Sequence, residues 1–276
     1  MASYIILTRP SSQNLPLSQI LSQQSSAQII DLPALSIHGR AFHELSLPEQ
    51  HLIHAHAQMD LIFAVSSNAV QHFCRLVNES GTSLSPMPYY AAVGVSTQQA
   101  WLAQGIAPEQ IIAPSIVQGN DSEALWQELK KLGLERFKQV LIARAQEGRN
   151  WLTEQLLAHD IEVHRVAVYE RQTNRWSIQQ VEQLKQALNS SHVVWLISSI
   201  QSAQALLQQL QSLQALGQLM QHRFVVVHQR IAQAIQTTAS QISHSSVVLT
   251  ENQFVTSSSQ PEHLTQHLLN SLRGIS

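Results

Sequence analysis

Short apolar runs alternate with helical patterns from one end of the chain to the other, and this alternation limits the fold more than any other feature. Tyr4–Leu7, Leu61–Val65 and Val193–Ile197, for example, are apolar at every position. Continuous apolar runs of this length are typical of parallel strands whose two faces are both covered by helices. The sequence therefore predicts an α/β fold with parallel sheets.

The predicted strands and helices follow one another in regular succession. Strands are predicted at Tyr4–Leu7, Ala27–Leu32, Leu61–Val65, Tyr90–Val93, Ile111–Ala113, Gln139–Ala143, Glu162–Tyr169, Val193–Ile197, Arg223–Val227 and Ser246–Leu249. Helices are predicted at Asn14–Gln23, Asn68–Asn78, Ser96–Gln104, Ser122–Leu132, Asn150–Ala158, Ile178–Asn189, Ser199–Gln209 and Gln229–Thr237. One more helix is predicted after Pro261, because proline suits the first turn of a helix.

The second half of the chain repeats the first. The stretch DLIFAVSSNAVQHF (60–73) resembles HVVWLISSIQSAQALL (192–207), which pairs Ser66 with Ser198 and Ser67 with Ser199 at an offset of 132 residues. Three further pairs of segments match at offsets of 134 or 135 residues. A nearly constant offset over four successive features indicates a duplicated α/β module.

Two equivalent points of the repeat, 32–42 and 166–176, are polar or contain proline, and they predict the domain boundaries. If the chain crosses between domains at both points, one lobe contains residues 1–36 and 172–276, and the other contains residues 40–168. The linkers then lie near residues 37–39 and 169–171, and the two crossings form a hinge beside a cleft. A cut near Gly133 would divide a short helix-to-strand connection, so the crossed arrangement is preferred.

Composition excludes several classes of protein. The 276 residues are 44% apolar and 12% charged, and the net charge of -2 comes without the basic face that nucleic-acid binding requires. The N-terminus lacks a signal-peptide pattern, and no run of about 18 apolar residues predicts a membrane span. The single cysteine, Cys74, excludes an internal disulfide and is expected to be a buried thiol. We therefore expect a cytoplasmic protein.

Common catalytic and metal-binding motifs are missing from the sequence. The chain contains no GxGxxG, GxxxxGK[ST], HExxH or GxSxG motif. His51, His54 and His56 form the densest histidine cluster, and two of them are three residues apart on a predicted helix. The local sequence does not complete a metal site around them, so surface histidines are the preferred interpretation. We therefore expect no metal site at these histidines.

Candidate binding residues follow the carboxyl ends of predicted strands, where open α/β sheets bind ligands. Serine, threonine and asparagine cap helices at such points, and the capped N-termini also bind carboxylates through their amides and dipole. Capping alone explains any one of these residues, whereas the whole set favours a ligand-binding edge. The set consists of Ser66, Ser67, Asn68, Thr97, Ser198, Ser199, Gln229 and Arg230.

Arginine, glycine and tyrosine residues complete the candidate site. Arg9 and Arg144 follow equivalent strands and could bind carboxylates, although surface ion pairs explain each of them equally well. Gly148 permits close approach of the backbone, and Arg149 begins a helix, where its charge opposes the helix dipole. Tyr169 lies at the second crossing, where it either packs the hinge or supplies its hydroxyl as a weak acid.

The ordered set of motifs resembles the uroporphyrinogen-III synthase family. The motifs are ILTRP, DLIFAVSSNAVQHF, AAVGVSTQQAWLAQG, DSEALWQEL, VLIARAQEGRNWLTEQLLAHDIEV, AVYER and FVVVHQRIAQAI, and they extend over roughly Ile5 to Val255. The resemblance implies two similar α/β lobes joined by a two-stranded hinge, with the first lobe discontinuous in sequence. It also implies a lyase that uses no cofactor and no metal.

The resemblance implies a reaction as well as a fold. The family converts the linear tetrapyrrole hydroxymethylbilane into uroporphyrinogen III, with loss of water and inversion of the terminal pyrrole ring, on the route to haem, sirohaem and cobalamin. By resemblance, Tyr169 assists loss of the hydroxyl group, and Ser66, Thr97 and Ser198 contact the substrate. Helix N-termini and arginines suit such a polyanion. We expect a monomer, with transient contact to hydroxymethylbilane synthase.

Three residues depart from the family pattern. His228 and Ile231 stand where many members have glycine and threonine, and Ala145 replaces a common glycine after Arg144. These departures leave an alternative open, in which the chain is a non-enzymatic two-lobed protein that binds an organic anion, or a synthase-like regulatory domain. Formation of the type III isomer from hydroxymethylbilane separates the enzyme from this alternative.

Overall fold

The apolar runs form buried strands in the computed structural model, which describes residues 2–115, 121–147 and 150–274. The strands are β1 Tyr4–Leu7, β2 Gln28–Asp31, β3 Leu35–Gly39, β4 Leu61–Ala64, β5 Tyr89–Ala92, β6 Ile111–Ile112, β7 Gln139–Ala145, β8 Glu162–Thr173, β9 Val193–Ile197, β10 Arg223–Val226 and β11 Phe254–Thr256. The α-helices are α1 Ser11–Gln24, α2 Leu47–His54, α3 Ser67–Glu79, α4 Val95–Ala103, α5 Ser122–Leu132, α6 Trp151–Leu157, α7 Ile178–Leu188, α8 Ile200–Ser212, α9 Gln229–Ile242 and α10 Pro261–Arg273. None of the helices among these residues is long and apolar enough to span a bilayer.

The predicted and observed strands differ in two places. Ser246–Leu249 is not a strand: Val247 and Leu249 are buried in the core, but the segment joins no sheet, and the last strand is β11 instead. Conversely, β3 lies in a segment whose polar residues favoured a linker. It is an edge strand whose residues after Leu35 are partly exposed, so its apolar pattern is weak.

The chain divides into two compact units, which are described one at a time. Unit 1 contains the residues up to Ser36 together with those from Gln172 onward, and unit 2 contains Ile37–Arg171. The sheet of unit 1 has the order β11-β10-β9-β1-β2, and all its neighbouring strands are parallel. Separate apolar clusters cover its two faces: α1 and α10 pack on one face, and α7, α8 and α9 pack on the other.

The sheet of unit 2 has the order β3-β8-β7-β4-β5-β6, and the strands from β8 to β6 are parallel to their neighbours. Helices α3 and α4 contribute to the apolar cluster on one face, whereas α5 and α6 contribute to the cluster on the other. A register shift between Arg144 and Ala145 places Ala145 opposite Tyr169. The α/β fold with parallel sheets is therefore confirmed.

The two sheets repeat the same strand order once β3 is set aside. Strands β8-β7-β4-β5-β6 of unit 2 correspond to β2-β1-β9-β10-β11 of unit 1. Ile5 of β1 and Val140 of β7 are equivalent positions at the offset of 135 residues found in the sequence. Ile5 pairs with Val194 and Val140 pairs with Leu61, so Leu61 corresponds to Val194. That offset is 133 residues, so Ser66 corresponds to Ser199, and the pairing of Ser66 with Ser198 was wrong by one residue.

Candidate functional site

Each sheet has a point at which the helical connections pass to opposite faces. In unit 2 this point lies between β7 and β4, because α6 follows β7 on one face and α3 follows β4 on the other. In unit 1 the equivalent point lies between β1 and β9. Ligands of open α/β sheets bind at the carboxyl edge of such switch points, and the candidate residues of each unit lie at or beside this edge.

Tyr169 lies on β8 beside the switch point of unit 2, and its side chain is fully buried. Its hydroxyl oxygen is 3.3 Å from Ser66 Oγ and accepts a hydrogen bond of 3.1 Å from Nη2 of Arg171. The Arg171 guanidinium carbon lies 5.5 Å from the centre of the tyrosine ring. The Tyr169 ring is thus part of the core, and its hydroxyl group contacts polar side chains.

Ser66 caps α3, as the sequence predicted. Its side-chain oxygen accepts a hydrogen bond from the amide of Ala69 at 3.2 Å. Ser67 and Asn68 follow in the first turn and are partly buried. In unit 1, Ser199 is the cap of α8 and accepts from the amide of Ser202 at 3.0 Å, whereas Ser198 precedes the cap.

His72 packs against Tyr169 from the second turn of α3. The two ring centres are 5.6 Å apart with an interplanar angle of 33°. Burial, and secondarily the nearby Arg75 charge, lowers the pKa of His72 below its usual value. Gly39 also lies beside the imidazole, so close that a Cβ atom there would collide with the ring.

Arg144 lies at the end of β7, and its side chain is only 8% exposed. Its Nη1 donates to Asn150 Oδ1 at 2.6 Å, and its Nε donates to the carbonyl of Ala145 at 3.2 Å. Burial lowers the pKa of Arg144, and the charges of Arg165 and Arg171 lower it further, while Tyr169 opposes this shift. The guanidinium groups of Arg165 and Arg171 and the hydroxyl of Tyr169 are thus all close enough to Arg144 to affect its charge.

A pocket of about 550 Å³ opens beside Arg144. Its lining includes Arg165 and Asn150 as well as the carboxylates of Glu49 and Glu147. Glu49 already pairs with Arg40 at 2.9 Å. The pocket therefore combines a buried guanidinium with an exposed one at the carboxyl edge of the unit 2 sheet.

The remaining predicted residues occupy varied positions. Thr97 is in the first turn of α4 and is only 2% exposed. Arg9 follows β1, donates to the carbonyl of Gln13 at 3.0 Å, and has a pKa lowered by burial. Gln229 accepts from Thr256 Oγ1 at 3.1 Å, and Arg230 is exposed in the first turn of α9. Gly148 and Arg149 lie outside the described residues.

The residues that depart from the family pattern have structural roles. His228 caps α9 by accepting a hydrogen bond from the amide of Arg230 at 3.1 Å. Ile231 is 4% exposed and belongs to the core of unit 1. Ala145 is buried at the register shift of β7.

Within the described ranges, no group of three or more histidine, cysteine, aspartate or glutamate side chains could hold a metal ion. His51 and His54 are exposed on α2, as expected of surface histidines, but that interpretation was wrong for His56. His56 is buried, its Nδ1 lies 2.8 Å from the carbonyl of Ile53, and its ring packs edge-on against Phe73. His54 meets the ring of Phe42.

Three residues of the candidate site were missed in the sequence: His72 and Arg171, which contact Tyr169, and Arg165, which lines the pocket beside Arg144. A signal for Arg171 was present, because residues two apart on a strand share a face and Tyr169 and Arg171 are so spaced. His72 gave no signal, because its contact with Tyr169 joins residues 97 positions apart.

Comparison with known proteins found a matching family and similar structures. A family model described as "Uroporphyrinogen-III synthase HemD" matches residues 16–251. A mutant uroporphyrinogen III synthase from the extremely thermophilic bacterium Thermus thermophilus has a similar structure, with a TM-score of 0.60 and 12% identity, over 99% of this chain and 100% of that one. Uroporphyrinogen-III synthetase from Helicobacter pylori 26695 matches with a TM-score of 0.50 and 17% identity, over 99% and 100% of the two chains.

No curated protein sequence matches the chain. At these identities the structural matches establish the fold alone. The family model, by contrast, covers most of the sequence, and the matched residues include Ser66, Arg144 and Tyr169. The chain therefore belongs to the uroporphyrinogen-III synthase family.

Proposed function

We propose that this chain is a cofactor-independent uroporphyrinogen-III synthase in which Tyr169 is the proton donor. The observation that carries this assignment is the environment of the tyrosine hydroxyl. It lies beside the switch point of a parallel sheet, within hydrogen-bond reach of Ser66 and Arg171, and close to the buried Arg144. A hydroxyl group so surrounded can donate a proton and leave its negative charge among cations.

The chemistry begins with the loss of a poor leaving group. Tyr169 transfers a proton to the hydroxymethyl oxygen, the carbon–oxygen bond breaks, and water leaves with the bonding electron pair. The pyrrole nitrogen supplies electrons to the exposed carbon and forms an azafulvene-type electrophile. The terminal pyrrole ring attacks it through the α-carbon that already carries the chain, and the bond from that carbon to the neighbouring methylene group breaks. The other α-carbon of the ring then bonds to this methylene group, which inverts the ring, and the proton that this carbon loses returns to the tyrosine oxygen. Every step uses the substrate and this acid, so the scheme needs no cofactor.

Control of the substrate's conformation is the second part of the proposal. The electrophile also closes head to tail without an enzyme, which gives the type I isomer. An enzyme must therefore hold the polyanion folded, and buried or partly buried arginines bind carboxylates with defined geometry. We propose Arg144 in unit 2 and Arg9 in unit 1 for this purpose, with the helix N-termini at Ser66–Asn68 and Ser198–Ser199. The same proposal extends to Thr97, Gly148, Arg149, Gln229 and Arg230.

The direct test is to supply hydroxymethylbilane, oxidise the product, and separate the type I and type III uroporphyrins. We expect the type III isomer, with turnover reduced at least about 100-fold in Tyr169→Phe. Tyr90→Phe is a matched control, because Tyr90 is equally buried and its hydroxyl donates to the carbonyl of Ser85 at 2.7 Å, near the amino end of β5. Formation of the type I isomer alone would refute the function, and full turnover in folded Tyr169→Phe would remove Tyr169 from it.

We further propose that the protein acts as a monomer in the cytoplasm and receives its substrate from hydroxymethylbilane synthase. The support is chemical, because a substrate that closes spontaneously is best transferred quickly from the enzyme that makes it. Light scattering on the purified protein measures the first point. Competition by inactive synthase for substrate delivery measures the second.

A further inference from the structure

Arg171 forms the closest described polar contact with the hydroxyl group of Tyr169. Its Nη2 lies 3.1 Å from the phenolic oxygen, whereas Ser66 Oγ lies 3.3 Å from it. A guanidinium group has five donors and no acceptor, so the tyrosine oxygen must accept in this bond. The hydroxyl hydrogen of Tyr169 is thereby left to point elsewhere, toward Ser66 or toward an oxygen of the substrate.

The two side chains also differ in exposure. Tyr169 is fully buried, while Arg171 is exposed and lies with its guanidinium carbon 5.5 Å from the centre of the tyrosine ring. Two positions apart on β8, the residues share one face of the strand. The cation is thus placed where charge on the phenolic oxygen would develop, at the border between the core and the solvent.

From this geometry we propose that Arg171 is a positioning residue for Tyr169. Its hydrogen bond orients the hydroxyl group as a proton donor, and its charge stabilises the phenolate that remains when the proton passes to the substrate's hydroxymethyl oxygen. The phenolate is neutralised again by the proton released when the terminal ring recovers its aromaticity, so Arg171 itself is never consumed or deprotonated. This inference rests on the proposed function and adds a residue to it.

A second role for Arg171 would be direct binding of a substrate carboxylate, and kinetics separate the two roles. A positioning residue acts on the chemical step, so Arg171→Gln should lower kcat about 10- to 100-fold and change KM less than about threefold. Arg171→Lys keeps the charge and should recover part of the loss. Arg136→Gln is the control, since it makes the same charge change at an exposed site just before β7.

A double-mutant cycle gives the decisive result. If Arg171 acts through the hydroxyl of Tyr169, then Tyr169→Phe with Arg171→Gln should be no slower than Tyr169→Phe alone, within about twofold. Multiplied losses in the double variant, or a rise in KM that accounts for the fall in kcat/KM, would overturn the proposal. So would full activity of Arg171→Gln.

Circular dichroism tests whether each variant folds. If Arg171→Gln does not fold, Arg171→Lys replaces it in the kinetic test. In that case, wild-type kcat in Arg171→Lys combined with a raised KM would refute positioning, and a lowered kcat at unchanged KM would support it. A wild-type protein that yields the type I isomer alone refutes the proposed function, and this inference falls with it. Type III product with no kinetic coupling between Arg171 and Tyr169 refutes the inference alone.

Discussion

Lowering the pH from 7 to 5 should destabilise unit 1 through His222, a buried histidine that is held neutral by its neighbours. The ring is 1% exposed, its Nδ1 accepts from Trp195 Nε1 at 3.1 Å, and its Nε2 lies 3.2 Å from the carbonyl of Ser190. The neutral ring with hydrogen on Nε2 satisfies both partners. Protonation of Nδ1 would place two donors against each other in the core.

The size of the effect follows from the pKa of His222, which burial lowers from 6.5 to about 4 despite the opposing hydrogen bond to Ser190. The unfolded chain therefore binds the proton more readily than the folded one, so stability is lost as the pH falls from about 6.5 toward 4. A tenfold difference in proton affinity between the folded and unfolded chains corresponds to about 1.4 kcal/mol. The lost stability reaches about 3 kcal/mol below pH 4, and roughly 2 kcal/mol of it is lost between pH 7 and pH 5.

Urea unfolding at pH 7 and pH 5, followed by circular dichroism, measures this loss. His222→Gln retains one donor and one acceptor but does not titrate, so its pH-dependent loss should be smaller than that of the wild type by roughly 2 kcal/mol. His51→Gln, at an exposed position, should leave the pH dependence unchanged. Equal pH dependence in wild type and His222→Gln would refute the reasoning.

Three further predictions concern unit 2. Gly39→Ala should lower the melting temperature, followed by circular dichroism, because its Cβ would collide with the His72 ring; removing the ring as well, in Gly39→Ala combined with His72→Ala, should restore part of the loss. Cys74 is buried and its pKa is raised to about 12, so a thiol reagent at pH 8 should label it only as fast as the protein unfolds. Ser66→Ala and the control Ser177→Ala should each cost about 1 kcal/mol of stability as lost helix caps, measured by urea unfolding, and only the first should reduce turnover.

The sequence supported the α/β fold and the family because both depend on local patterns. Nine of the ten predicted strands overlap observed ones, since buried parallel strands are continuously apolar. The same reasoning failed at Ser246–Leu249. Two of its apolar residues are buried, but the segment pairs with no strand of either sheet. It also missed β3, whose polar alternation is that of an edge strand.

The candidate site was less accessible to sequence reasoning. Ser66 was predicted as a helix cap, and the structure confirms this, because capping depends on neighbouring residues. The contact of Ser66 with Tyr169, by contrast, joins residues 103 positions apart, so no local pattern predicts it. His72 and Gly39 are matched through a steric fit that local propensity does not express.

The strand orders have a consequence for how the protein folds during synthesis. Each sheet takes strands from both repeats: unit 1 joins β1 and β2 to β9–β11, so that Tyr4 pairs with Val193. Unit 2 is continuous in sequence and can fold as soon as Arg171 has left the ribosome. Strand β1, although synthesised first, must wait for its partner β9, nearly two hundred residues away, so we expect the N-terminal segment of the chain to become ordered only after unit 2.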